Sequence, residues 1–194
     1  HSKNRSSRDL LAFDQEHAGD VHGHFDHIEA ALSTASGLPL DKCEVHNHTL
    51  GGGFGRRGGT QDFVRQATLL GKQMKGVPVK MVWSREEDTQ HDLYRPASLV
   101  KVRASIQADG KPEALHIRVS APSIFSQLLR MPLQNGVDPQ AVASLNDHPY
   151  NIPNCLVDFV QRSAHVPVGF WRTVGHSQNP FVRECFIDEL AHAA

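Results

Sequence analysis

Helical periodicity is the first pattern that stands out along the chain. It occurs in three segments, at residues 28–36, 62–75 and 180–191. In the second segment the apolar positions fall on one helical face, formed by Phe63, Ala67, Leu70 and Met74. Ser84 is followed at the next positions but one by Glu86, Glu87 and Asp88, a pattern that is typical of a helix start. The pattern therefore predicts four helices.

Strands are predicted where apolar and polar residues alternate, or where β-branched and aromatic residues cluster. These segments are residues 43–50, 77–84, 99–107, 114–120 and 156–162. Asp109-Gly110 lies between two of them and predicts a hairpin turn. Residues 121–154 contain several prolines and glycines and predict a long irregular connection. Because strands and helices are mixed without regular βαβ alternation, we expect an α+β fold.

Charge and hydrophobicity divide the chain into two parts. Residues 1–20 are charged and lack periodicity, which favours a polar lead-in, either mobile or a displaced strand. Residues 21–194 are then part of a folded domain, which we expect to be incomplete in this chain. The net charge of −1 does not indicate the basic surface that nucleic-acid binding requires. No apolar run is long enough to span a bilayer, so we expect a soluble chain. The sequence starts at His1 and stops within a helical pattern, which predicts an internal segment of a longer protein.

Three cysteines are spread widely along the sequence. They are Cys43, Cys155 and Cys185, and no two of them form a CxxC pair. This set is too small and too dispersed for a disulfide framework, an iron–sulfur cluster or a zinc ribbon. We expect three structural thiols.

The most distinctive string is LGGGFGRR, at residues 50–57. Glycines after a strand allow positive φ angles and close approach to a ligand, and backbone N–H groups ahead of a helix favour an anion. Arg56 and Arg57 add fork-shaped donors that suit phosphate or carboxylate. Taken alone, the string is explained equally well by a tight turn, and it matches neither the P-loop nor the dinucleotide fingerprint.

Longer strings in the same order carry a family resemblance. GGGFGRR, DFVRQA and PVKMVWSREEDTQHDLYRPAS are followed much later by VPVGFWRTVGHSQNPFVRECFIDELA. Together they resemble the molybdenum-cofactor-binding large subunits of the xanthine oxidase and aldehyde oxidase family, and within it the isoquinoline 1-oxidoreductase beta subunit in particular. The resemblance covers roughly residues 27–194.

The resemblance implies a molybdopterin cofactor with molybdenum, in the cytosine dinucleotide form. The Phe54 amide would face an oxo ligand of the metal, and Arg172 would hydrogen-bond the cofactor. Without the resemblance, Arg172 would be interpreted as a solvated loop charge and Trp171 as a core aromatic residue. The cofactor-binding residues that it implies are Gly52, Gly53, Phe54, Gly55, Arg56, Trp171 and Arg172.

The resemblance also implies a reaction and a partner. Enzymes of this kind hydroxylate a carbon next to nitrogen in an N-heteroaromatic ring, or an aldehyde carbon, and take the oxygen from water. The electrons pass to iron–sulfur clusters, and the three cysteines of this chain cannot hold them. A small iron–sulfur subunit is therefore implied as partner, in a bacterial enzyme of the cytoplasm or the periplasm.

The sequence departs from the family pattern at three places. Where xanthine oxidases have a glutamine before the glycine turn, this chain has Gly23 or His24. Where they have a glutamate that contacts purines, it has Arg57 and Gly58, which disfavours a purine substrate. The catalytic glutamate of the family is expected downstream of Ala194, so we assign no catalytic residue to this chain. The alternative hypothesis is a truncated, catalytically inactive folded fragment of that subunit.

A distant alternative is a zinc hydrolase. His22, His24 and His27 belong to an HxHxDH string, whose imidazoles and carboxylate can bind zinc, and His46 and His48 follow nearby. The strongly apolar strand that should precede this string is absent, because the residues there are AFDQEHAGD. We therefore favour adventitious metal binding at His22, His24 and His27 over zinc catalysis.

Overall fold

A computed structural model describes residues 11–17, 22–49, 52–58, 62–163 and 165–194; for 11–17, 22–27, 47, 48 and 58 it describes the backbone. The chain divides into two compact units. The first contains residues 1–53 and 60–92, and the second contains residues 54–59 and 93–194. The division falls inside the glycine-rich string, between Gly53 and Phe54.

The first unit begins with a strand–helix–strand arrangement. Strand β1 (Leu11–His17) is parallel to β2 (Cys43–Thr49), and helix α1 (His22–Ser36) connects them. A helix is the usual connection here, because parallel strands need a long crossover. A 3-10 helix (Leu40–Lys42) precedes β2, and helices α2 (Asp62–Gln73) and α3 (Arg85–His91) follow it along the chain.

The core of the first unit is small and lies between α1 and α2. Ile28, Leu32 and Val64 are fully buried there, and Thr68 of α2 donates a hydrogen bond from Oγ1 to the Val64 carbonyl at 2.7 Å. The helix faces the core through Val64 and Thr68. The apolar face predicted for α2 is therefore wrong in part, because Leu70 and Met74 are about half exposed.

The strand predicted at residues 77–84 is also wrong. Residues 78–84 have no regular secondary structure, and Val82 is 74% exposed. β-Branched residues favour a strand only where a second strand pairs with them, and no described strand does so here. The helix start at Ser84 is confirmed, because its Oγ accepts a hydrogen bond from the Glu87 amide at 3.1 Å.

The second unit is built around a three-stranded sheet in the order β3-β4-β5. Strands β3 (Leu99–Ile106) and β4 (Pro112–Ala121) form the predicted antiparallel hairpin, whose turn includes Asp109-Gly110. Strand β5 (Asn154–Gln161) pairs in parallel with β4 after a long irregular connection, in which α4 (Ile124–Gln127) is a single turn. Helix α5 (Gln178–Ala193) ends the chain.

One face of this sheet forms the core of the second unit. Alternation along β4 buries Leu115, Ile117 and Val119, and these pack with Val142 and Leu145 of the irregular connection. Phe186 and Ile187 of α5 pack partly buried against the same cluster. The long connection therefore supplies core side chains despite its lack of regular structure.

The α+β fold class is confirmed, because helices are mixed along the chain with strands that pair in both parallel and antiparallel directions. Strand β1 lies within the charged residues 1–20, and α1 begins at His22, ahead of the predicted start. The division into a lead-in and a domain at residue 20 stays a prediction. Among the described residues, no helix combines the length and apolar character that a bilayer crossing requires.

Candidate functional site

The glycine-rich turn has an unusual backbone. Gly52 and Gly55 have φ angles of 135° and 89°, and Phe54 between them has a φ of 52°. Glycine adopts this left-handed region freely, whereas a residue with a Cβ is strained there. A short 3-10 helix, Arg56–Gly58, follows the turn. The Phe54 side chain is 60% exposed, so the turn presents its aromatic ring to solvent rather than to a core.

Gly55 lies directly against a distant part of the chain. A Cβ atom at this position would be 2.9 Å from the carbonyl carbon of Trp171 and 3.0 Å from the carbonyl oxygen of Phe170. Such distances are closer than van der Waals contact, so glycine is required here for packing as well as for its φ angle. The turn of the first predicted cofactor segment therefore contacts Phe170 and Trp171 of the second predicted segment, and these residues all lie in the second unit.

Arg172 lies over the ring of Phe54. Its guanidinium carbon is 4.4 Å from the ring centroid, which is a cation–π distance. Both side chains are exposed, so the planar donors of Arg172 remain accessible to a ligand. The structure thus brings together Phe54, Gly55, Trp171 and Arg172 among the predicted site residues.

The second predicted cofactor segment lies in the loop of residues 166–176, which we call the second loop, and this loop is strained at the residues that follow Arg172. Thr173 and Val174 have φ angles of 61° and 49°, although both carry a β-branched side chain. The Val174 amide donates to the Trp171 carbonyl at 2.7 Å, and a 3-10 helix continues through Val174–His176. Backbone strain of this kind persists only where surrounding contacts impose it, and it is common at ligand sites.

Sequence reasoning missed Arg95, although it stands in the string YRPAS. Its guanidinium donates hydrogen bonds to the second loop, including the carbonyl oxygens of Arg172 and Val174. The neighbouring Tyr94 pairs with Val168 in an isolated parallel bridge. One indication was present in the sequence, namely the arginine itself, whose guanidinium can bind several carbonyl groups at once. The sequence does not identify which carbonyl groups these are.

Asn179 anchors the base of the same loop. It is 1% exposed, and its Nδ2 donates to the carbonyl oxygens of Ala141 and Ala143 at 3.0 and 2.9 Å. Gly175 fits beside it, because a Cβ there would lie 2.2 Å from the Gln140 carbonyl oxygen. The irregular connection and the start of α5 are therefore locked together beneath the second loop.

A separate polar cluster lies on the open face of the sheet. Arg118 donates from Nε and Nη2 to the two carboxylate oxygens of Asp158 at 2.8 and 2.7 Å, and His116 Nε2 is 3.0 Å from the same carboxylate. The bonds from Arg118 are the main cause that lowers the pKa of Asp158 to about 2. This cluster shares no residue with the predicted cofactor segments.

The histidine string does not form a described metal site. His22, His24 and His27 are helical in their backbone, but their side chains lie outside the described part of the chain. Among the residues that are described, no group of three histidine, cysteine or carboxylate side chains could hold a metal ion. The three cysteines are free thiols; Cys43 is partly buried, whereas Cys155 and Cys185 are exposed.

Comparison with known proteins identifies the family. Residues 22–194 match the model of the molybdopterin cofactor-binding domain, and the chain belongs to this family. The predicted resemblance is thereby confirmed.

Several relatives have names of oxidoreductases. The chain is 29% identical to the beta subunit of isoquinoline 1-oxidoreductase of Brevundimonas diminuta, over 80% of this chain and 20% of that protein. It is 28% identical to a membrane-bound aldehyde dehydrogenase [pyrroloquinoline-quinone] of Gluconacetobacter polyoxogenes, over 94% of this chain and 25% of that protein. It is 27% identical to a nicotinate dehydrogenase subunit of Pseudomonas putida, over 79% of this chain and 13% of that protein. The chain thus spans a quarter or less of each of these relatives.

A solved structure shares the fold. Quinoline 2-oxidoreductase from Pseudomonas putida 86 superposes with a TM-score of 0.66 at 21% identity, over 86% of this chain and 21% of that one. The likeness confirms that the mixed helices and strands described above have the architecture of the molybdopterin-binding domain.

The residues present fit the cofactor that this family binds. Molybdopterin carries phosphate, and its metal carries oxygen ligands, so it needs hydrogen-bond donors on an accessible surface. The described turn has backbone N–H groups at positive φ angles around the exposed Phe54, and Arg172 offers an exposed guanidinium above that ring. Both are donor types that bind oxygen-rich anions.

Proposed function

We propose that residues 21–194 contribute the molybdopterin-binding surface of a molybdenum hydroxylase, with residues 1–20 as a lead-in. The observation that supports it is the packing of the Phe54-Gly55 turn against the Trp171-Arg172 loop. Two segments with donor chemistry, distant in sequence, meet at one accessible surface. The chain's membership of the molybdopterin-binding family supports molybdopterin as the ligand of that surface.

Each segment has its own part in binding. Backbone N–H groups of the turn that includes Gly52, Gly53 and Phe54 would donate to oxygen ligands of the metal, and Arg56 follows at the helical end of the turn. Arg172 would donate charge-assisted hydrogen bonds to the pterin side, and its stacking on Phe54 limits the orientations of the guanidinium. When bound, the cofactor supplies the two-electron redox chemistry, while the protein orients it.

We propose the cytosine dinucleotide form of the cofactor. A dinucleotide adds a second phosphate, and Arg56 and Arg57 follow directly after the turn with donors of the phosphate-binding type. Mild acid hydrolysis of the purified protein should then release cytidine monophosphate along with the pterin. Release of pterin without any nucleotide would overturn this form.

The proposed reaction is hydroxylation of a carbon next to nitrogen in an N-heteroaromatic ring, or of an aldehyde carbon, with water as oxygen source. The names of relatives, which include isoquinoline, nicotinate and aldehyde enzymes, support this range. Arg57 and Gly58 stand where purine enzymes have a glutamate, so we propose a substrate other than a purine. The general base is proposed to be a glutamate beyond Ala194.

A partner is needed for the electrons. The described cysteines are three free thiols, and the described residues form no cluster of metal ligands. We propose that iron–sulfur clusters lie on a separate small subunit, a proposal supported by two relatives whose names give them as one subunit of an enzyme. Co-purification of an iron-containing polypeptide with the natural protein tests this proposal, and electron transfer to an acceptor without any iron in the sample would contradict it.

The function is tested on the natural full-length polypeptide. Its mass, molybdenum, zinc and pyrroloquinoline quinone are measured on one sample, since one relative carries that quinone in its name. Stoichiometric molybdenum, and transfer of heavy oxygen from labelled water into hydroxylated isoquinoline or an aldehyde product, would support the proposal. Bound quinone without molybdenum would overturn it, and stoichiometric zinc would favour the histidine string. A polypeptide of this length without molybdenum would support the inactive fragment.

A matched pair of variants ties the function to the site. Arg172→Gln removes the proposed donor, whereas Arg103→Gln removes an exposed arginine of β3 that is outside the proposed site. We expect the first variant to lose molybdenum during purification and the second to keep it. Equal molybdenum content in both variants would show that Arg172 does not hold the cofactor.

A further inference from the structure

Arg95 hydrogen-bonds to the second half of the second loop and to the start of α5. Its Nη1 is within hydrogen-bond distance of the Val174 carbonyl at 2.6 Å, of Ser177 Oγ at 2.9 Å and of Gln178 Oε1 at 3.0 Å, so its two hydrogens are shared among these three acceptors. Its Nη2 donates to the Arg172 carbonyl at 2.8 Å. The four acceptors cover the stretch from Arg172 to the start of α5. The strained residues lie within that stretch.

The loop needs such a restraint from outside. Thr173 and Val174 both have a left-handed backbone, in which the Cβ of an L-residue approaches its own carbonyl oxygen. β-Branched side chains make this conformation less favourable still, so an unrestrained loop would relax to negative φ angles. That relaxation would turn the backbone directly after Arg172 and change the direction of its side chain.

Arg95 is itself held in place. The Tyr94 amide donates to the Pro167 carbonyl at 2.9 Å, and the Gly169 amide donates to the Tyr94 carbonyl at 2.9 Å. Pro96 follows Arg95 and disfavours a helical backbone at that residue. The base of the arginine is therefore fixed next to the start of the loop, and its guanidinium reaches across to the end.

We infer that Arg95 is a positioning residue, which keeps the strained second loop in the conformation that lays Arg172 over Phe54. This inference rests on the function proposed above for its consequence, namely that Arg95 sets the geometry of the cofactor's donor without touching the cofactor. A planar guanidinium reaches acceptors on two of its nitrogens, whereas a lysine ammonium offers a single point. Lysine at this position should therefore restore part of the effect.

The inference is tested by hydrogen–deuterium exchange on the full-length protein. The variants are Arg95→Ala, Arg95→Lys and the control Arg103→Ala. The probe is the peptide around residues 170–178, whose Val174 and His176 amides are hydrogen-bonded within the loop. We expect Arg95→Ala to raise exchange there by about tenfold or more, with Arg95→Lys intermediate and the control unchanged. Peptides of the β3–β4 hairpin serve as the internal reference, and molybdenum content should fall in the same order.

Unchanged exchange of the loop peptide in Arg95→Ala would overturn the inference, even if molybdenum were lost. If Arg95→Ala fails to fold, Gln178→Ala, which removes one acceptor, takes its place. In Gln178→Ala, a rise in hydrogen exchange confined to the loop peptide supports the inference, and unchanged exchange overturns it. If the loop loosens as expected in a protein that binds no molybdenum, the role of Arg95 stands and the proposed function fails.

Discussion

The guanidinium of Arg172 lies 4.4 Å from the centroid of the Phe54 ring, and this contact joins the two predicted cofactor segments. It forms because Gly55 allows the backbone of Trp171 to approach the turn. Phe54 therefore contributes to the site in two ways, through its backbone at positive φ and through the ring that supports Arg172.

The first prediction concerns the energy of this contact. An exposed cation–π pair contributes about 0.5–1 kcal/mol, so Phe54→Leu and Arg172→Gln together should destabilise the protein less than the sum of the single variants by about that amount. The free energies of unfolding of the four proteins in urea give this coupling energy. Single effects that add to within about 0.3 kcal/mol would show that the ring and the guanidinium do not interact.

The second prediction separates packing from backbone strain at Gly55. Gly136 has a similar positive φ of 73° but open space around its Cβ position, whereas a Cβ at Gly55 would meet Trp171. Gly136→Ala should therefore cost about 1–2 kcal/mol from strain, and Gly55→Ala about 1–3 kcal/mol more from overpacking. Denaturant unfolding measures both. Equal losses in the two variants would contradict the close approach.

The third prediction concerns Asn179. Asn179→Ala should cost about 1–3 kcal/mol, because the partly buried Ala141 and Ala143 carbonyls lose their donor. Asn179→Asp should cost more, since a carboxylate would face two carbonyl oxygens without any hydrogen to donate. Asn146→Ala, at an exposed position, is the control and should stay within about 0.5 kcal/mol of the parent. Melting temperatures give the ranking, and an aspartate as stable as the alanine would refute it.

The fourth prediction is a dependence of stability on pH. Because Arg118 lowers the pKa of Asp158 from 3.8 to about 2 in the folded state, the unfolded state binds more protons between these values. The contribution of Asp158 is thus present above pH 4 and is lost as the pH falls towards 2. Between pH 4 and pH 2, the free energy of unfolding measured in urea should fall less for Asp158→Asn than for the parent protein. Identical pH profiles would contradict the assignment.

Local patterns determined much of the fold. The hairpin of β3 and β4 follows from alternation and Asp109-Gly110, and the start of α3 follows from Ser84, because both depend on residues a few positions apart. The order of several separated motifs likewise predicted the family, which the match over residues 22–194 confirms. Sequence reasoning also selected Phe54, Gly55, Trp171 and Arg172, which the structure brings together, while their role in binding the cofactor stays a prediction.

Tertiary structure decided what depends on distant partners. Residues 78–84 form no strand because β-branched residues need a neighbouring strand, and α2 buries Val64 rather than Met74 because α1 selects its face. Arg95 is the clearest case, since its acceptors are carbonyl groups of a strained loop, which no side-chain pattern encodes. The sequence by itself determined which residues carry donors. The packing of Gly55 against Trp171 and the left-handed backbone at Thr173 decided where those donors point.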